Sequence, residues 1–300
     1  MATMTTTHKF KIIKQITKRG NAVNEDSYFS CDSFAFVIDG ATAVFDKKIT
    51  PFKSDAEWLS VKLNECLSKY LLNNELSLKE ALRESVKILS SEYLYFLEQA
   101  GLEYDFTITP SAALSALRIN KEKLEYIGFA DCLVLLETKS GEILKINSDP
   151  RHLRLDAIKM SKAIEKSKLD KISVREAVAS SEVRELSKAN RALRNLINKG
   201  GYPVFDLSGD GISNAKTAFF DLNTIAGFVI MSDGVADMFK TYNMFKSYKE
   251  FYYGLKNINI IQLLKQQKRL AKNDPDFNKF PRFKMIDDAT LVHCTINTTT

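Results

Sequence analysis

Three short apolar runs, far apart in the chain, each meet an aspartate at one end. Residues 33–38 run into Asp39-Gly40, residues 227–232 run into Asp233-Gly234, and Asp287-Asp288 stands just before the run 289–292. Apolar runs of this length, bounded by turn residues, predict buried strands. Strands that share sheets would gather these acids at one sheet edge, where carboxylates repel one another unless cations lie between them. Asp131 sits between two further apolar runs, Asn24-Glu25-Asp26 precedes another, and Asp237 follows Asp233 by one helical turn. An oxygen-only donor set suits Mg²⁺ or Mn²⁺, whereas zinc prefers His and Cys. Taken singly, each acid has an ordinary reading. Asp-Gly after a strand makes a turn, Asp287-Asp288 charges a strand edge, and Asp237 favours the first turn of a helix.

The order of elements narrows the fold. Residues 10–16 read as a strand. In residues 56–72, Leu59, Leu63, Cys66, Leu67, Tyr70 and Leu71 recur at helical spacing, and in residues 78–100 Leu82, Val86, Leu89, Tyr93, Phe96 and Leu97 do the same, with Gly101 as the stop. Short strands follow at 112–119, 124–129, 132–137 and 142–146, an antiparallel meander. Residues 151–200 read as polar helices, 216–221 and 227–231 as strands, 258–272 as helix and 289–295 as a closing strand. Helices that come in pairs, not singly between strands, predict an α+β fold with antiparallel sheets and helical layers outside. A single domain over 10–296 is expected, after a Thr-rich flexible leader at 1–9.

Composition excludes several classes. Hydrophobic residues make up 45 % of the 300, enough for a sizeable core. No apolar run approaches the ~20 residues of a membrane span, and the start lacks a signal-peptide core. Cys31, Cys66, Cys132 and Cys294 are widely spaced, as expected of free thiols in a reducing cytoplasm. Residues 151–200 hold 13 basic against 6 acidic side chains, so this segment alone carries a net +7, compared with +6 for the whole chain. Arg184, Lys188, Arg191 and Arg194 recur there at helical spacing. They are read as a solvated face; the rival is a basic module for an acidic protein or a phosphopeptide. Nucleic acid is disfavoured because interleaved aromatics are lacking.

Taken in order, the motifs are Asn24-Glu25-Asp26-Ser27, Asp39-Gly40-Ala41-Thr42, Pro110-Ser111-Ala112-Ala113, Ala130-Asp131-Cys132, Met231-Ser232-Asp233-Gly234 with Asp237, and Asp287-Asp288-Ala289-Thr290-Leu291. This set resembles the metal-dependent protein phosphatases of type 2C, in a bacterial branch, over nearly the whole chain. The resemblance implies two central antiparallel sheets flanked by pairs of helices, an α-β-β-α sandwich. It implies that Asp39 bridges two cations, that the Gly40 carbonyl binds the second, and that Asp233 and Asp287 complete the first. Glu25 and Asp26 would hold metal-bound waters, and Asp131 and Asp237 a third, weaker ion.

The implied activity is hydrolysis of phosphoserine and phosphothreonine in proteins, by a hydroxide bridging the cations. The cofactors would be Mn²⁺ or Mg²⁺, and the partners a phosphorylated protein and a cognate Ser/Thr kinase, with no membrane. Residues 151–200 would form a flap beside the metals. The chain departs from the family pattern at Asn21, where a phosphate-binding Arg is usual and only Lys18 and Arg19 stand nearby. It departs again at Ala41, where eukaryotic members place a His, and at Ala130, where Gly is usual. The rival to catalysis is a weakly active or inactive scaffold that binds phosphoproteins; retention of the mutually repelling acids opposes it.

Overall fold

The computed structural model describes residues 7–20, 22–41, 48–73, 76–146 and 149–299. Its strands are β1 (Thr7–Lys18), β2 (Asp26–Ser30), β3 (Phe34–Gly40), β4 (Ser111–Asn120), β5 (Lys123–Phe129), β6 (Leu133–Thr138), β7 (Ile143–Ile146), β8 (Phe205–Asp206), β9 (Lys216–Asp221), β10 (Ile225–Met231) and β11 (Ala289–Thr299). Its helices are α1 (Asp55–Asn73), α2 (Leu78–Gln99), α3 (Pro150–Asp170), α4 (Val174–Val178), α5 (Ser181–Ala192), α6 (Asp210–Asn214), α7 (Asp233–Lys240), α8 (Tyr248–Asn257) and α9 (Ile260–Lys272).

The strands form two antiparallel sheets, in the orders β1-β11-β10-β6-β7 and β2-β3-β4-β5-β9, with β8 beside β4. Side-chain alternation explains how they stack. Along β3, Phe34, Phe36 and Ile38 pack against Leu59 and Leu63 of α1 and Leu82 and Leu89 of α2. The intervening Ala35 and Val37 face the other sheet, meeting Val134, Leu136, Phe228, Ile230 and Val292. On that sheet's far side, Leu133, Leu135, Val229 and Met231 pack against Phe251 and Leu255 of α8 and Leu263 of α9. The result is the expected four layers, helix, sheet, sheet and helix, in an α+β fold. Capping fixes the outer helices: Ser77 and Glu80 make a reciprocal box at the start of α2.

Several elements differ from the sequence reading, among them strand β11, which runs on to Thr299. Strand β1 begins at Thr7, so residues 7–9 of the expected leader are strand, because Thr7, His8 and Lys9 pair with Thr299, Thr298 and Asn297. Residues 1–6 lie outside the described part. Helix α8 was not anticipated. It buries Tyr252, whose hydroxyl donates to Glu137 Oε2 at 3.3 Å.

Candidate metal centre

The sheets bring the acids together through backbone register. Pairing of β2 with β3 sets Asp26 directly opposite Asp39, a placement that like charges disfavour. The ends of β10 and β11 are stitched by two bonds of 3.0 Å: Ser232 N donates to Thr290 O, and Thr290 N donates to Ser232 Oγ. This sets Asp233, which opens α7, beside Asp287, which precedes β11. Gly234 permits the approach, because a Cβ there would overlap the Asp288 carbonyl. Asp131 follows Ala130, whose φ of 50° is the left-handed conformation that a glycine adopts without strain.

Asp39, Asp131, Asp233 and Asp287, with Gly40, line one cavity of about 360 Å³. Asp237 lines an adjoining cavity that shares Asp131, Asp233 and Asp287 with the first. Burial raises the Asp39 carboxyl well above the usual range, and Asp26, Asp233, Asp131 and Asp287 raise it further. Burial does the same to Asp233, with Asp287, Asp131 and Asp237 adding to it. Asp26 is pushed up to about 7 by burial, with Asp288 and Asp287 adding to it against the nearby Ser232 and Thr290 hydroxyls. Asp237 rises to about 6, again chiefly by burial.

Neither carboxylate oxygen of Asp26 has a hydrogen-bond partner among the described residues, although the side chain is buried. One ammonium, Lys284, pairs with Asp287 at 2.8 Å. Burial works against its charge, but Asp287, Asp233 and Asp39 outweigh that and raise its pKa. Among the described residues Lys284 is the one cation in an ion pair with Asp39, Asp233 or Asp287, and a single such pair does not balance these carboxylates, whose donors are oxygens. The set fits hard divalent cations.

Adjacent acids do different work. Asp288 does not line the cavity; it accepts from Gly20 N and Glu25 N, each at 2.7 Å, and so clamps the segment before β2 onto β11. The Glu25 carboxylate accepts from Ser54 Oγ at 2.6 Å. Neither the Asp288 clamp nor Lys284 was singled out from sequence, though Lys284 stands one helical-type step before Asp287.

Other placements correct the sequence reading. Arg19 is exposed and lines a separate cavity that shares only Asp287 with the acid cavity, so the fold does not bring it to the acids. Asn21 lies outside the described residues. Arg191 and Arg194, read as part of a solvated face, are 7 % and 4 % exposed and line the acid cavity. Helical spacing gave the stripe but not the direction it faces. In the sequence His152 stands alone between Arg151 and Leu153, which are not metal ligands. In space, one ligand atom each of Asp131, His152 and Asp156 lie within 4.8 Å of one another.

The comparisons agree with this architecture. The family model for protein phosphatase 2C matches residues 17–266. Among curated proteins, none matches this chain by sequence. The catalytic domain of the serine/threonine phosphatase PstP, in complex with two manganese ions, is a similar solved structure, with TM-score 0.54 at 15 % identity, covering 97 % of this chain and 99 % of that one. PstP/Ppp from Mycobacterium tuberculosis gives TM-score 0.54 at 15 % identity, covering 96 % and 98 %. Stp1 from Staphylococcus aureus gives 0.50 at 14 %, covering 95 % and 94 %. Such distant likeness carries the fold, and the family match carries the lineage: the chain belongs to the protein phosphatase 2C family of metal-dependent serine/threonine phosphatases.

Proposed function

We propose that this chain hydrolyses phosphoserine and phosphothreonine in proteins, with two divalent cations, Mn²⁺ or Mg²⁺, held by Asp39, Asp233, Asp287 and the Gly40 carbonyl. The observation that carries this reading is the convergence of Asp39, Asp131, Asp233 and Asp287 on one cavity, against their own repulsion. Asp131 and Asp237, which meet at the adjoining cavity, are assigned to a third, weaker ion. Asp26, opposite Asp39 on β2, and Glu25, just ahead of that strand, would hold water around the bound cations. When bound, the cations make hydroxide available near neutral pH and offset charge on the phosphoryl oxygens.

The protein's part is preorganisation. Strand register fixes Asp39, the Ser232–Thr290 stitch fixes Asp233 and Asp287, and Lys284 adds a positive charge at the cavity wall. Ala41 lines the same cavity and offers no acid side chain, so protonation of the leaving oxygen is assigned to water. The substrate is a phosphorylated protein, and the natural counterpart is the Ser/Thr kinase that phosphorylates it. Among the described residues, no helix is long and apolar enough to cross a membrane. Hydrolysis of p-nitrophenyl phosphate, measured with Mn²⁺ and with a chelator, tests the reading. Activity that requires Mn²⁺ and is lost in Asp233→Asn supports it; equal rates with and without metal contradict it.

A further inference from the structure

Two arginines from the 150–202 segment, Arg191 at the end of α5 and Arg194 just beyond it, reach into the acid cavity. Both are more than nine-tenths buried, and no carboxylate lies within ion-pair distance of either among the described residues. Their hydrogen bonds go to main-chain carbonyls of the loop ahead of β4. Each of the three Arg194 nitrogens has a partner: Nε donates to Arg191 O, Nη1 to Thr109 O and Nη2 to Phe106 O. Arg191 differs. Its Nε donates to Thr107 O at 3.3 Å and its Nη2 to Thr109 O at 2.9 Å, but Nη1 has no partner among the described residues.

The carbonyl that anchors Arg191 is two residues before Ser111. Ser111 is 1 % exposed, lines the same cavity, and its Oγ has no hydrogen-bond partner among the described residues. The Ser111 carbonyl accepts from Ala41 N at 2.9 Å, which places this serine beside the strand end that carries Asp39 and Gly40. A buried cation without a counter-ion and a buried hydroxyl without a partner are each costly alone. Both line the same cavity, where an anion would satisfy them together. Burial and the neighbouring Arg194 lower the Arg191 guanidinium to about 10, so it remains charged at neutral pH.

We propose that Arg191 Nη1 and Ser111 Oγ form an anion subsite that binds terminal phosphoryl oxygens of the substrate and of the phosphate product. This rests on the phosphatase reading and adds the residues that select the dianion. Guanidinium is suited to such oxygens by its planar donors. Arg194 is a positioning residue that braces the loop and Arg191 with it.

The test is calorimetric titration of the Mn²⁺-loaded full chain with inorganic phosphate, alongside KM and kcat for p-nitrophenyl phosphate. Arg191→Ala is expected to weaken phosphate about 10- to 100-fold and to raise KM more than it lowers kcat, with Mn²⁺ affinity unchanged. Arg191→Lys recovers part of the loss, and Ser111→Ala weakens phosphate several-fold. Arg194→Ala lowers thermal stability and weakens phosphate clearly less than Arg191→Ala does. Phosphate affinity unchanged in both Arg191→Ala and Ser111→Ala overturns the subsite, as does an equal loss in Arg191→Ala and Arg194→Ala, which would make both arginines braces only. Should Arg191→Ala fail to hold Mn²⁺, Ser111→Ala alone decides. Absence of Mn²⁺-dependent hydrolysis in the unaltered chain would instead remove the phosphatase reading, a result distinguishable from failure of the subsite.

Discussion

The acid end of the sandwich and the 150–202 segment meet at one cavity but are built differently. The acids stand on strand ends backed by large clusters of buried aromatics and aliphatics. Helices α3, α4 and α5 enclose a small core of Ala163, Ala177 and Val183, with the half-buried Met160, Ile172 and Val178 packed against it. They are attached to the rest largely by polar contacts: Arg191 and Arg194 to the 106–109 carbonyls, Val174 N to Asn278 Oδ1 at 3.1 Å, and Lys159 over the Phe283 ring at 3.9 Å. The difference teaches where each kind of charge can be kept. Like charges held together against repulsion need a stiff frame, which paired strands supply. Cations that meet a substrate can ride on a less tightly held element.

The contrast breaks most directly at the sandwich. Asp39→Asn removes a carboxylate that burial and four other acids penalise. Activity is expected to fall about 10³-fold or more, while the metal-free protein melts higher than its parent. Steady-state kinetics and a melt in chelator check both, and a lower metal-free melting temperature would mean that the acids are not under strain. Next in size is Asp288→Ala, which deletes two charge-assisted bonds without touching the cavity. A loss of about 3 kcal/mol is expected, seen as a fall of roughly 6–10 °C in melting temperature.

The pH dependence sharpens the same contrast. Asp39, Asp233, Asp26 and Asp237 all hold protons more tightly in the folded chain than the unfolded value of ~3.9. Their stabilising contribution is therefore full below ~3.9 and is lost as pH rises through about 6 for Asp237 and about 7 for Asp26. Stability of the metal-free protein should decline from pH 5 to pH 8, and saturating Mn²⁺ should raise the melting temperature more at pH 8, by about 5 °C, than at pH 6. The smallest expected effect is in amide hydrogen exchange. Amides of α3–α5 should open at about 2 kcal/mol less than those of β3 and β10; equal protection would erase the distinction between frame and flap.

Much of this was legible in the residues. The apolar runs at residues 33–38 and 227–231 predicted the central strands, and Asp-Gly at their ends pointed to the acid edge. The paired early helices gave the outer layer. What failed to show did so for physical reasons. A helical stripe such as Arg184, Lys188, Arg191 and Arg194 has a period but no bearing, and only the loop carbonyls at 106–109 turn its end inward. Asp287 and Asp288 look alike in sequence, and only strand geometry sends one to the cavity and the other to the Gly20 and Glu25 amides. His152 joins Asp131 and Asp156 through tertiary packing alone. Nothing in the sequence assigns Tyr252 and Tyr253, whose hydroxyls the fold sends to Glu137 and the Gly141 carbonyl.

The most direct measurement is anomalous diffraction from crystals soaked in Mn²⁺. The account predicts manganese peaks among the carboxylates of Asp39, Asp233 and Asp287, with Lys284 displaced or sharing Asp287. A well-ordered cavity with no manganese signal, and Lys284 alone balancing these acids, would contradict it.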